Sequence, residues 1–215
     1  MIDPLEVAER VHVIRSEIAS LTSTKVAIIA VTKTFGVDAF AAALHAQCDA
    51  VGENYAQELL TKVALGPVGL PVHFIGAIQS NKVRQLAPHV TVWQGVDRLS
   101  VIQELSKRAP GSQILLQVNT TGEESKSGVT PSALETLLNS AISSGLDVRG
   151  LMTIGPTTAD SGEARKAFSS LRSLADSLHL AECSMGMSDD YQVAVECGST
   201  MVRIGSRLFG ARPSA

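Results

Sequence analysis

Cysteine is scarce in this chain of 215 residues: Cys48, Cys183 and Cys197 are its three, and no CxxC pair occurs. No disulfide framework is expected, and with no signal-peptide pattern at the amino end the expected setting is reducing and cytoplasmic. Runs of lysine and arginine are also missing. With 18 basic against 21 acidic residues the formal charge is -3 and the pI is near 5.9, so a nucleic-acid partner is not expected. No apolar stretch approaches the roughly 20 residues that cross a bilayer, so a soluble protein without a membrane partner is expected. No Pro/Gly/Ser-rich linker, low-complexity tract or repeat divides the sequence. Residues 1–215 are therefore expected to form one domain, and 45% hydrophobic content suffices for a sizeable core. Neither a Walker-type P-loop pattern nor GxGxxG is present, which weakens a nucleotide ligand.

What the chain does have is alternation. Asp3-Pro4-Leu5-Glu6 combines an N-cap acid, proline at the first helical position and a glutamate three residues past the cap. Val7, Val11, Ile14, Ile18 and Leu21 follow at steps of four and three, which predicts an opening helix packed by one face. The apolar run Val26-Ala27-Ile28-Ile29-Ala30-Val31 then reads as a strand buried on both faces, leading into Thr32 and Lys33. Further strand-like runs cover Cys48 to Glu53, Val72 to Ala77, Val90 to Val96, Gln113 to Asn119, Asp147 to Thr153, Glu182 to Met187 and Met201 to Gly205. Helix-like stretches lie over Val37 to Gln47, Gln79 to Leu86 and Arg98 to Arg108. Another opens at Thr130-Pro131 with Leu134, Leu137, Leu138, Ala141 and Ile142 on one side, and another carries Ala164, Phe168, Leu171, Ala175 and Leu178. Eight strands, each followed by a helix-like or turn-like stretch, predict a parallel α/β sheet. Closure into a single (β/α)8 TIM-type barrel is the natural count, and a doubly wound open sheet is the competitor.

In such a barrel the site lies at the carboxyl ends of the strands. Lys33 follows strand one, Glu53-Asn54 end strand two, Asn119 strand five, Met152-Thr153 strand six, Met185-Gly186-Met187-Ser188 strand seven, and Arg203-Ile204-Gly205-Ser206 strand eight. A lysine at the mouth of a packed core is expected to have a lowered pKa, which is what a Schiff-base lysine needs. Gly205-Ser206 at a helix start would attract an anion, and closure sets strand eight beside strand one. An amine next to an anion cup suits a cofactor with both an aldehyde and a phosphate, pyridoxal 5′-phosphate (PLP). Plainer roles compete: Asn54 with Gln57 forms a capping box, Ser188 an N-cap, Asn119 a turn and His73 a satisfied core histidine, while Met152, Met185 and Met187 fill the core. Lys82, placed in a helix, and Lys126, placed in a polar loop, are expected to be more solvated than Lys33.

An ordered set of motifs goes further. Ala30-Val31-Thr32-Lys33-Thr34, Gly52-Glu53-Asn54-Tyr55, His73-Phe74-Ile75-Gly76 with Gln79-Ser80-Asn81-Lys82, Gly150-Leu151-Met152-Thr153, Ser184-Met185-Gly186-Met187-Ser188 and Val202-Arg203-Ile204-Gly205 resemble the YggS/PROSC family of pyridoxal phosphate homeostasis proteins. The likeness runs from about Val26 to Arg212. It implies a barrel like the N-terminal domain of alanine racemase, the fold type III of PLP proteins, preceded by the extra N-terminal helix. It also implies that Lys33 holds PLP as a Schiff base, that Arg203 faces the pyridine nitrogen, and that Gly205, Ser206 and a serine among Ser184 to Ser188 hold the phosphate. Asn54, Met185 and Ser188 complete the expected cofactor contacts; no metal ligand and no catalytic residue is assigned. Thr32, Val72 and Gln94-Gly95 stand where the family often has serine, tryptophan and a histidine-serine pair.

An arginine against the pyridine nitrogen can only donate, keeping that nitrogen unprotonated and the ring a poorer electron sink. A racemase of the alanine type also draws a second acid-base group from a further domain, for which the residues beyond strand eight are too few. Neither Tyr55 nor Tyr191 is marked as a general base. The expected function is therefore a monomeric, non-catalytic PLP-binding protein of intracellular PLP homeostasis, with PLP-dependent apoenzymes as recipients. A weak PLP-dependent amino-acid racemase is the alternative.

Overall fold

A computed structural model describes residues 2–158 and 160–211, so Arg212, where the family likeness ends, lies outside the described residues. The opening helix α1 spans Pro4–Leu21, with the Asp3 carboxylate accepting the Leu5 N–H at 2.9 Å and Val7, Val11, Ile14 and Ile18 buried. Eight strands follow: β1 Ala27–Val31, β2 Ala50–Glu53, β3 Val72–Phe74, β4 Val92–Val96, β5 Gln113–Gln117, β6 Asp147–Met152, β7 Glu182–Ser184 and β8 Met201–Ile204. Each pairs in parallel with the next, and β8 closes on β1 with Ile29 beside Arg203. The sheet is thus the closed barrel, and the open alternative is excluded.

Around it lie α2 (Asp38–His45), α3 (Ala56–Leu65), α4 (Val83–Leu86), α5 (Leu99–Arg108), α6 (Leu134–Ser143), α7 (Ser161–Ser177), α8 (Tyr191–Glu196) and α9 (Ser206–Phe209). Among the described residues no helix is long and apolar enough to cross a membrane. Ile142, expected on the packed side of its helix, is 57% exposed, because the buried face of α6 is set by Leu134, Leu137, Leu138 and Ala141.

The strands alternate between the two faces, with irregularities in β4 and where β5 meets β6. Ala27, Ile29, Ala50, Val92, Leu115, Met152 and Met201 form one cluster inside the barrel, while Ile28, Ala30, Val51, Trp93, Leu116, Leu151, Cys183, Val202 and Ile204 pack with the helices outside it. Stepping by two from the inner row leads from Ile29 through Val31 to Lys33 and from Met201 through Arg203 to Gly205, so these residues surface at the carboxyl rim. Thr32 and Glu53 have the opposite parity and turn outward to the helix layer. Strand seven stops at Ser184 rather than Met187, because Gly186 takes φ +91° and a Cβ there would meet the Ala194 Cβ at 2.6 Å.

Candidate functional site

At the carboxyl rim a cavity of about 240 Å³ opens above the barrel interior. Lys33, Asn54, Ser188, Arg203, Gly205 and Ser206 line it, with Val31, Ile75, Ile154 and Met187 as apolar walls. Of the expected cofactor contacts, Met185 is absent. It follows the inward-facing Ser184, so it points outward and is wholly buried in the outer core, and Met187, two residues on, lines the cavity instead.

Arg203 forms the floor. It is only 4% exposed, and its guanidinium donates to the Ser184 Oγ at 2.7 Å and to the Thr153 carbonyl at 2.8 Å. Burial pulls its pKa down to about 10, with Asp190 acting the other way, so it remains a cation at neutral pH. Ser184 passes its own proton to the Gln94 Oε1 at 2.6 Å, and the Gln94 amide nitrogen lies 2.7 Å from the His73 Nδ1. With every donor pointing one way, Nδ1 must accept and His73 must be neutral. Burial enforces this by lowering the His73 pKa to about 4, and the core-histidine reading holds.

Outside the barrel, behind the turn that carries Lys33, lies a cluster of charged side chains. Lys62 of α3 is 4% exposed, and its Nζ donates to the Thr32 carbonyl at 2.7 Å and to Glu53 and Glu58, each at 2.6 Å. Glu53 is fully buried and also accepts from the Thr32 hydroxyl at 2.7 Å. Burial pushes its carboxyl above the ordinary value, against the pull of Lys62 and Thr32. The ammonium also lies 5.5 Å from the centre of the Phe40 ring. Sequence reasoning gave Lys62 and Glu58 no role and met Gln94 only as a departure from the family pattern. Lys33 itself is half-buried rather than enclosed, because it stands two residues beyond the end of β1.

Asn54 caps no helix: α3 begins at Ala56 without a side-chain cap, and the Asn54 Oδ1 is buried with no hydrogen-bond partner. Its backbone is pressed against Gly76, where a Cβ would come within 2.1 Å of the Asn54 carbonyl oxygen. Ser188 does not cap the helix that follows it; its Oγ instead accepts the N–H groups of Gly205 at 3.2 Å and Arg207 at 3.4 Å at the start of α9. Beside Gly205 a Cβ would meet only ordinary contacts with Val31, the nearest at 3.4 Å, so the protein itself leaves room there. Asn119 does hold a turn, its Oδ1 accepting from Thr121 and Gly122. Lys82 ends the short 3-10 turn Ser80–Lys82. Lys126 corrects its expected solvation: its side chain is 13% exposed, bonded to Glu123 at 2.6 Å and to the Gly155 carbonyl at 2.5 Å, because two rim loops close over it.

This geometry has known counterparts. Residues 2–213 match the model of the alanine racemase N-terminal domain family. A pyridoxal phosphate homeostasis protein of Pseudomonas aeruginosa is 44% identical over 195 residues, covering 87% of this chain and 85% of that one. The chain belongs to the family of pyridoxal phosphate homeostasis proteins. Another structure, PipY of Synechococcus elongatus with PLP bound, shares 32% identity and superposes with a TM-score of 0.84, covering 95% of this chain and all of that one. An alanine racemase of Clostridium difficile, 16% identical at a TM-score of 0.74, covers 96% of this chain and 60% of its own, and shows the shared fold alone.

Proposed function

We propose that this protein binds PLP in the rim cavity and serves intracellular PLP homeostasis without catalytic turnover. The observation that carries the reading is the convergence of a lysine, a fixed cation and a hydroxyl beside backbone amides on one cavity, at the seam where β1 meets β8. The residues fit the cofactor on three counts. The orphaned Asn54 Oδ1 awaits a donor, room is left beside Gly205, and Arg203 spends two of its five N–H donors on Ser184 and Thr153.

Bound PLP supplies an aldehyde that a primary amine captures reversibly. Lys33 is that amine. Arg203, which can donate but not accept, holds a ring nitrogen unprotonated, and Ser188, Gly205 and Ser206 hold the phosphate. Neither tyrosine adjoins the cavity: Tyr55 is 56% exposed, and the Tyr191 hydroxyl donates to Glu17 and accepts from Arg207. The racemase alternative thus lacks an opposing tyrosine. The protein works as a cytoplasmic monomer that passes PLP to apoenzymes, and burial raises the Cys48 and Cys183 thiols to about 12 and about 11, so neither competes with Lys33 for the aldehyde.

The test is an absorption spectrum of the PLP-loaded protein before and after borohydride, followed by identification of the labelled peptide. The label is expected on Lys33, and a label on Lys82 or Lys126 overturns the reading.

A further inference from the structure

The buried charges beside β1 and β2 have no place in the cofactor contacts, yet they grip the chain on both sides of Lys33. On one side Lys62 donates to the Thr32 carbonyl at 2.7 Å, and Glu53 takes the Thr32 hydroxyl at 2.7 Å. On the other side the Glu58 Oε1, which also accepts from Lys62, takes the Thr34 N–H at 2.6 Å. Thr34 sits at φ +69°, in the left-handed region that a β-branched residue adopts only when its surroundings impose it. The β1 ladder reaches only the Thr32 N–H, which bonds the Gly52 carbonyl at 3.1 Å, and the bond from the Phe35 N–H to the Thr32 carbonyl at 3.1 Å closes the turn but is common to turns of either hand.

We propose that Lys62, with Glu53 and Glu58, is an ionic clamp that forces the left-handed turn at Thr34 and so aims Lys33 into the cavity. Lys62 is thus a positioning residue, and the claim rests on the reading of Lys33 as the capturing amine. The clamp reaches the opposite wall as well, since Glu53 immediately precedes Asn54. Stability alone is a poor reason for it. A buried ion cluster costs desolvation that well-packed apolar side chains of the same volume avoid. What apolar side chains do not offer is a directed grip on a carbonyl and an amide flanking one residue.

The test uses Lys62→Met, which keeps an unbranched side chain one atom shorter and removes the charge, and Glu58→Gln, whose site is part-exposed and whose loss the fold should survive. Hydrogen exchange at the Thr34 amide is followed in the cofactor-free protein, and capture rate and visible circular dichroism of bound PLP in the loaded one. Both variants are expected to speed Thr34 exchange, to slow capture about tenfold to a hundredfold, as displaced reacting groups do, and to alter the dichroic band, while far-ultraviolet dichroism stays native. Native exchange, capture and dichroic band in Lys62→Met overturn the clamp. If that variant does not fold, the same native values in Glu58→Gln overturn it. A borohydride label away from Lys33 in the wild type overturns the reading of the amine instead, and the Thr34 exchange, measured without cofactor, still judges the clamp.

Discussion

Arg203 is held from inside the barrel by neutral groups, Ser184, Gln94 and His73, whereas the backbone around Lys33 is held from outside it by charged ones, Lys62, Glu53 and Glu58. The two arrangements lie on opposite faces of the barrel wall, the first on β3, β4, β7 and β8 and the second on β2 and α3, and solve different problems. An arginine already carries a charge, so its supports need only accept and relay hydrogen bonds. The turn at Lys33 is conformationally unfavourable, so it needs strong bonds at fixed points. One end of the cavity presents a fixed cation, and the other aims a lysine on a braced turn.

The sharpest way to break this contrast is to remove each end in turn. Lys33→Ala is expected to abolish borohydride-fixed PLP entirely while the melting temperature changes little, since the side chain is half-buried and stands two residues beyond the end of β1. A retained label in that variant would place the amine elsewhere. Arg203→Met is expected to weaken PLP retention about a hundredfold, the loss of a charged hydrogen bond in a closed site. Its stability should stay within about 1 kcal/mol of wild type, because relief of a buried cation offsets the lost bonds to Ser184 and Thr153. Spectroscopic titration and urea unfolding measure the two quantities. Retention without loss would show that the floor of the cavity does not touch the cofactor.

pH separates the two arrangements by sign. His73 is lowered from 6.5 to about 4, so the unfolded chain binds a proton that the folded one refuses. The stabilisation is present above the unfolded value and is lost as pH falls from about 6.5 toward 4, amounting to about 2 kcal/mol by pH 5. Protonation would also turn the Gln94 amide round, so that it accepts from His73 and donates toward Ser184, whose hydroxyl still accepts from Arg203. Glu53 acts oppositely: its raised carboxyl contributes stability below its unfolded value, which is lost as pH rises through the folded one. Urea unfolding at pH 7 and pH 5 is therefore expected to show a steeper acid loss in wild type than in His73→Asn, whose amide oxygen stands in for Nδ1. Equal losses in the two would refute the neutral histidine.

The barrel was legible because alternation of apolar runs and helical spacing depends only on burial, and the Asp3 cap and the β1 run declare themselves locally. The rim was legible wherever a strand's parity ran on unbroken, as at Lys33 and Arg203. It failed at Met185, where the early end of β7 hides which way the next side chain turns. The Glu58 and Lys62 pair reads in sequence as an ordinary exposed helix pair, since their spacing of four fits a solvated face. Only the closure of α3 over the outward-facing Thr32 and Glu53 buries it. Gln94 gave no signal either, because a lone amide in an apolar run names neither of its partners.

The smallest effect is expected at the third corner, which rests on neither arrangement. Ser206 opens α9 with an exposed side chain, while beside it Gly205 and Arg207 offer backbone N–H groups to the Ser188 hydroxyl. Backbone donors survive side-chain substitution, so Ser206→Ala should weaken PLP binding only about twofold to tenfold, the worth of one neutral hydrogen bond. Fluorescence titration of the cofactor-free protein measures this directly. A loss as large as that of Arg203→Met would mean that the hydroxyl, rather than the amides at the head of α9, carries the grip on the phosphate. The cavity would then depend on side chains at all three corners, and the contrast between its neutral and charged supports would no longer explain where it is most easily broken.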